Sequence, residues 1–306
     1  FFAAHYLFNL FVRYRIKPIY QVLLSKNIRT HDLPPTHDLV SGLQDELNLW
    51  AEKNAREIAR LKENERYRKE FLGNVSHEIK TPIFTIQGYI LTLLDGGLED
   101  ENINRKYLER SEKSIDRLIN IVQDLEEISK LESGSLVLEP ERFDIVALVR
   151  EIAESIEIEA SARHITFRIG TSNFQPPVLV YADRRKISQV IMNLLINSVR
   201  YGRDNGTTTV SFVDMFDRVM IEVADNGVGI AEEYIPRVFE RFFRVDKSRS
   251  REQGGTGLGL AIVKHILEAH GQVITLRSKL GEGSTFSFAL AKEAPKANPV
   301  SATKSV

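Results

Sequence analysis

The sequence predicts an α+β chain, with long helices first and a compact α/β sandwich after them. Three observations carry this. Apolar residues recur every three or four positions from Leu43 to Ile79 and again from Ile103 to Ile128, which is the period of an amphipathic helix. After Ser133-Gly134-Ser135 the rhythm changes to short β-type runs alternating with helical ones. Glycine clusters punctuate that second half at 225–230, 254–259 and 281–283.

With 306 residues the chain has room for two or three domains. Its formal net charge of -1 gives no concentrated basic surface, so nucleic acid is not expected as a partner. The absence of cysteine excludes disulfides, thiolate zinc sites and thiol chemistry. The seven histidines show no metal-ligand spacing; His265 and His270 are five apart on a predicted helix and so face different ways.

The first stretch, 1–17, is aromatic and apolar through Val12, then carries Arg13, Arg15 and Lys17. It is shorter than the ~20 apolar residues a spanning helix needs, and it lacks the basic start of a signal peptide. It reads as the inner end of a transmembrane helix with its basic cluster on the cytoplasmic side, or else as a buried or interfacial helix. On the first reading the chain is the cytoplasmic portion of an inner-membrane protein. Residues 18–60 form a linker and relay segment, broken by Pro18 and Pro34-Pro35. From Leu43 a coiled-coil-like seam (Leu47, Trp50, Asn54, Ile58, Leu61, Arg68, Leu72, Val75, Ile79) has Glu and Lys/Arg on its flanks. This helix runs to about Leu94 and stops at Asp95-Gly96-Gly97. A second helix, from Asn104 to Leu131, completes a hairpin over 61–133. Two helices cannot cover their own apolar stripes, which predicts a homodimer with a four-helix bundle.

Residues 134–292 form the second domain. Asp144 caps a helix to about Ala160, and strands follow at Ile165–Ile169 and Val178–Ala182. Asp183 caps a helix to about Arg200, stopped by Gly202. A hairpin (Thr207–Asp214, Arg218–Ala224), a helix (Leu258–His270) and two strands (Val273–Arg277, Ser284–Leu290) complete a mixed sheet with helices on one face. Residues 293–306 read as a disordered tail.

One polar helix face carries His77, with Glu78 next to it, Thr81 one turn on and Pro82 after that. A neutral imidazole is a phosphoryl acceptor, and an adjacent carboxylate can orient it and take its proton. Thr81 could place a water at the same point, and Pro82 should bend the helix. An isolated surface histidine is the plainer reading of His77; the combination on a predicted bundle argues against it.

Four further clusters suit a bound nucleotide. Asn193, Asn197 and Arg200/Tyr201 share a helix face; amide oxygens can hold Mg²⁺ and Arg200 can meet a phosphate. In Asp225–Ile230, Asp225 can accept from an exocyclic amine, while Gly227, Gly229 and Ile230 let backbone approach a ring. Gly255, Thr256, Gly257, Leu258, Gly259 and Leu260 open a helix, which makes an anion site, although no P-loop lysine follows. Between them, Phe239–Lys247 anchors a loop with the composition of a lid; Phe242 belongs to its base, and Arg244 and Lys247 are placed for γ-phosphate. Thr285, just past the 281–283 turn, joins the same nucleotide-contact set.

Taken together, Phe71–Pro82 (FLGNVSHEIKTP), Asn193–Tyr201, Asp225–Ile230, Phe239–Asp246 and Gly254–Leu260 resemble the five motif boxes of bacterial sensor histidine kinases. In overall texture the chain resembles the phosphate-regulon variety. The resemblance implies a dimeric phosphoacceptor hairpin followed by an ATP-binding domain of the gyrase/chaperone/histidine-kinase type. It implies His77 as phosphoacceptor, Glu78 as its acid/base helper, and Thr81 in phosphatase activity. Asn197 would be the Mg²⁺ ligand, with Asn193 beside it; Asp225 would read adenine and Arg244 would align the γ-phosphate. ATP and Mg²⁺ are then the cofactors, and the receiver domain of a response regulator is the partner. Arg200 stands where the family usually has Lys, and Ser198 where Ala is common and no consequence is expected. The alternatives are an ATPase of the same fold driving a clamp, against which Asn193 stands where such relatives carry a Glu base, and a silent dimeric scaffold.

Overall fold

A computed structural model describes residues 36–133, 136–170, 177–245 and 255–293, together with Ala3 and Tyr6. The expectations for 1–17 as a whole, for 18–35, for the lid tip with Lys247 and for the tail lie outside the described residues. The chain divides into two units, Phe1–Leu72 and Gly73–Val306.

The helix α1 spans Thr36–Thr92. In the first unit its described part carries i,i+4 ion pairs (Arg56–Glu52 at 3.2 Å, Lys69–Glu65 at 2.7 Å), while seam residues Trp50, Ile58 and Leu61 are exposed. Exposed pairs of this kind contribute only about 0.3–0.5 kcal/mol each. The helix therefore needs a partner for its apolar seam.

The second unit starts with the rest of α1, which passes through Pro82, and turns at a π-helical segment, Leu93–Gly97, where Gly96 has φ 94°. Helix α2 follows (Asn104–Glu132). Tyr89 and Tyr107 pack against each other across the hairpin, with ring centroids 5.0 Å apart and ring planes tilted by 41°. Ile121 and Ile128 are buried in the single chain, but Ile83, Phe84, Leu91, Leu108, Ile115 and Ile119 are exposed.

The α/β part runs β1 (Glu141–Asp144), α3 (Ile145–Ser155), α4 (Glu157–Ala162), β2 (Thr166–Gly170), β3 (Leu179–Ala182), α5 (Arg184–Tyr201), β4 (Thr207–Met215), β5 (Arg218–Asp225), a 3₁₀ turn (Glu232–Arg237), α6 (Gly259–Ala269), β6 (Thr275–Lys279) and β7 (Gly283–Ala291). The main sheet has the order β2-β4-β5-β7-β6, with β2 parallel to β4 and the other pairs antiparallel. Val210, Phe212, Val219, Ile221, Val223, Phe286 and Phe288 on one sheet face join Val149 and Ile152 of α3, Ile191 and Leu195 of α5, and Ile262 and Ile266 of α6 in one core.

Three features differ from expectation. The helix after Asp144 is two helices, broken at Ile156 (φ -110°, ψ 14°). Val178–Ala182 does not join the main sheet; its strand β3 pairs antiparallel with β1, a strand the charged sequence Glu-Arg-Phe-Asp conceals. The 3₁₀ turn has no periodic signal. The caps are as expected: Asp144 accepts from Val146 N–H, and Asp183 from Arg185 and Lys186 N–H. Burial opposes ionisation of Asp183, but these donors and the N–H of Glu139 together hold its carboxyl below the usual range.

Candidate functional site

His77 lies exposed on α1. Glu78, the next residue, turns inward, where Arg117 of α2 donates to its Oε2 at 2.9 Å. Arg244 Nη1 reaches its other oxygen at 3.6 Å. Thr81 is one turn beyond, and its hydroxyl donates back to the carbonyl of His77 at 3.1 Å. The half-buried Glu78 is thus held by two guanidinium groups, one from the hairpin and one from the α/β part.

Behind Arg244 opens a cavity of about 480 Å³. Its lining brings together Asn193, Asn197, Arg200 and Tyr201 of α5, Asp225 at the end of β5 with Gly229 and Ile230 after it, Arg244, and Gly255, Thr256, Gly257, Gly259 and Leu260 around the start of α6. Helix periodicity explains the first group, since positions four apart on α5 share the face away from the core. Gly227 packs under the loop, where a Cβ would meet the carbonyl oxygen of Tyr201 at 2.3 Å. Gly229 has φ 68°, and a Cβ there would come within 2.0 Å of the carbonyl oxygen of Lys279, so only glycine fits. Asp225 accepts from Gly227 N–H at 2.8 Å, yet burial dominates and pushes its carboxyl up.

Cationic groups mark the other end. A Cβ on Gly255 would lie 3.5 Å from Arg200 Nη1 and 3.7 Å from Arg244 Nη2. Burial lowers the pKa of Arg200 from its ordinary value, so a bound anion would relieve an unfavourable desolvation. The amide side chains of Asn193 and Asn197 lie on the same wall. Their neutral oxygens fit Mg²⁺ if phosphate and water oxygens complete its shell. Among the described residues no cluster of three or more His, Asp or Glu could hold a metal by itself.

Four nominated residues do not line the cavity: Gly227, which packs under the loop, and Leu258, Thr285 and Phe242. Leu258 is wholly buried in the core. Thr285 alternates off the cavity-facing side of β7, and its neighbours Ser284 and Phe286 line the cavity instead. Phe242, with φ 60°, braces the glycine loop, its N–H donating to the carbonyl of Gly257 at 2.9 Å, and Phe243 lines the cavity. Lys247 is outside the described residues. Ser198 is buried at 3 % exposure and accepts from the hydroxyl of Thr208, itself 1 % exposed, at 2.9 Å. This bond fastens α5 to β4, a consequence its substitution for the common alanine did not suggest.

Three lining residues escaped the sequence reading. Arg163 donates to the carbonyls of Arg200 (2.7 Å) and Gly202 (2.9 Å), closing the C-terminus of α5. No local pattern points to it, because the contact spans about 37 residues. Asn120 and Asp124 come from α2. Their signal was available: a polar pair one turn apart, beside the stripe residues Val122, Leu125 and Ile128. Further along α2, Glu127 pairs with Lys186 and Glu132 with Arg241. The hairpin is therefore docked on the nucleotide side of the α/β part.

Comparison with known proteins agrees with this geometry. Residues 67–134 match the His Kinase A (phospho-acceptor) domain, and residues 182–294 match the histidine kinase-, DNA gyrase B- and HSP90-like ATPase family. Sensor histidine kinase WalK of Bacillus subtilis (strain 168) is 36% identical over 226 residues, covering 73% of this chain and 36% of WalK. The chain thus spans about a third to a half of the curated WalK relatives, 36%, 54% and 37% of their lengths. Among solved structures, full-length ShkA in complex with AMPPNP matches with TM-score 0.55 and 28% identity, covering 76% of this chain and 47% of ShkA. Histidine kinase ThkA in complex with response regulator protein TrrA matches with TM-score 0.58 and 26% identity, covering 86% and 68%. Both domains occur in order, and the matched relatives run through both, so the chain belongs to the bacterial sensor histidine kinases.

Proposed function

We propose that this chain binds ATP in the cavity, transfers its γ-phosphoryl group to His77, and passes that group to an aspartate of a separate response regulator. One observation carries the reading: Arg244 lines the cavity and also reaches Glu78, the neighbour of His77. A single side chain thus stands at both the donor and the acceptor side. Asp225 would accept from the adenine amine, with the glycine loop and Arg200 at the phosphates. Asn197, with Asn193, would hold Mg²⁺, whose charge would offset that of the phosphates. An imidazole nitrogen of His77 forms the new P–N bond as the bond from γ-phosphorus to the ADP oxygen breaks. Glu78 takes the imidazole proton, and ADP leaves.

The exposed apolar faces of α1 and α2 support a homodimer that closes a four-helix bundle. The ThkA–TrrA complex supports a receiver domain as partner. Attachment to the inner membrane through residues 1–17 stays part of the proposal; no helix among the described residues is long and apolar enough to cross a membrane. Incubation with γ-labelled ATP and Mg²⁺ should give acid-labile, base-stable label on the protein, absent from His77→Gln. Equal label on that variant would defeat the proposal.

A further inference from the structure

The glycine loop that should receive phosphate already has an anion on it. Asp124, carried by α2, lines the cavity, and the hydroxyl of Thr256 donates to its Oδ2 at 2.8 Å. The same hydroxyl oxygen accepts from Leu258 N–H at 3.2 Å, so Asp124 is linked through Thr256 to the N-terminus of α6. Burial pushes the Asp124 carboxyl up, opposed by the Thr256 hydroxyl and by the charge of Arg200. The carboxylate is thus held at a desolvation cost by the groups that would hold a phosphate.

We propose that Asp124 is an acidic gate: its carboxylate occupies the phosphate loop when the hairpin is docked, and the triphosphate of an incoming nucleotide displaces it. This rests on the nucleotide reading above and adds how binding is coupled to the hairpin. A carboxylate and a polyphosphate compete for the same Thr256 hydroxyl and the same Arg200 charge, and they repel each other. Triphosphate binding therefore loosens the α2 contact, and a docked hairpin weakens triphosphate binding by the same factor. The adenine end, at Asp225, lies outside this competition.

The test is calorimetric titration of the whole chain and of Asp124→Asn with Mg²⁺-AMPPNP and with adenosine, alongside amide exchange of residues 120–132. Asp124→Asn should tighten AMPPNP by about fivefold or more, the low end of typical couplings, and adenosine much less. AMPPNP should speed exchange across 120–132 in the parent, and Asp124→Asn should exchange quickly without it. Asp124→Ser, which also removes the charge, should behave alike, separating the gate from a folding defect in one variant. Unchanged or weaker AMPPNP binding in both variants, with adenosine binding retained, overturns the gate, and weaker binding makes Asp124 a nucleotide or metal ligand instead. A parent chain that binds neither probe overturns the nucleotide reading, and the gate with it.

Discussion

Replacing Ser198 with alanine should loosen the floor of the nucleotide cavity. The hydroxyl of Thr208 donates to Ser198 Oγ at 2.9 Å, and Ser198 donates to the carbonyl of Leu195 at 2.8 Å, all out of contact with water. Alanine removes the acceptor and leaves the Thr208 hydroxyl buried without it. An orphaned buried donor costs about 1–3 kcal/mol. Since every 1.4 kcal/mol is tenfold, amide protection of α5 and β4 should fall roughly five- to 150-fold. Thr208→Val added to Ser198→Ala removes donor and acceptor together, so the double variant should recover most of the loss, a coupling visible in a double-mutant cycle. Hydrogen exchange of peptides from 184–201 and 207–215 is the suitable assay. Fluorescence is not, because the one tryptophan, Trp50, lies in the other unit. Ser198→Ala with native protection, or a double variant worse than the single by the full value of Thr208→Val, would refute the reasoning.

Two further outcomes follow from the same geometry. Burial raises the Asp225 carboxyl above the ordinary aspartate value of ~3.9. The ionised acceptor that adenine needs is present above that raised value and lost as pH falls through it, so adenosine affinity should fall at a higher pH than for an ordinary carboxylate. Asp225→Asn should flatten that acid limb, and identical limbs for both proteins would contradict the role. Thr81, whose hydroxyl sits one turn from His77, should matter more to removal of phosphate from the regulator than to its loading; Thr81→Ala with an unchanged dephosphorylation rate would rule this out.

Much of this fold was legible because its elements have strong local signals. Apolar period, with the Asp183 cap for α5, located α2, α5 and α6 to within a residue or two, since these signals act over one or two turns; α1 starts at Thr36, seven residues before the seam that marks it at Leu43. The strand β1 was not legible: Glu141-Arg142-Phe143-Asp144 has one buried residue, Phe143, and forms a strand only through pairing with β3. The break at Ile156 likewise reflects packing, as nothing in Glu154-Ser155-Ile156-Glu157 stops a helix. In the site, the motif glycines and the α5 face could be placed from spacing. Ser284 and Phe243 line the cavity while Thr285 and Phe242 do not, because strand phase and a positive φ at Phe242 decide which side chain meets it. Arg163 reaches the cavity from a distant segment, and no spacing rule reaches that far, whereas Asp124 was marked only by its polar pairing with Asn120 one turn away.

The central claim, that His77 receives the phosphoryl group, is tested most directly by locating the phosphate. After brief incubation with ATP and Mg²⁺, the protein is digested with trypsin at neutral to basic pH, where phosphohistidine survives. The tryptic peptide Glu70–Lys80 contains both Ser76 and His77, so fragmentation distinguishes a hydroxyl from an imidazole acceptor. Phosphate on His77 is the predicted result. Phosphate on Ser76, or on any other peptide with Glu70–Lys80 unmodified, would contradict it.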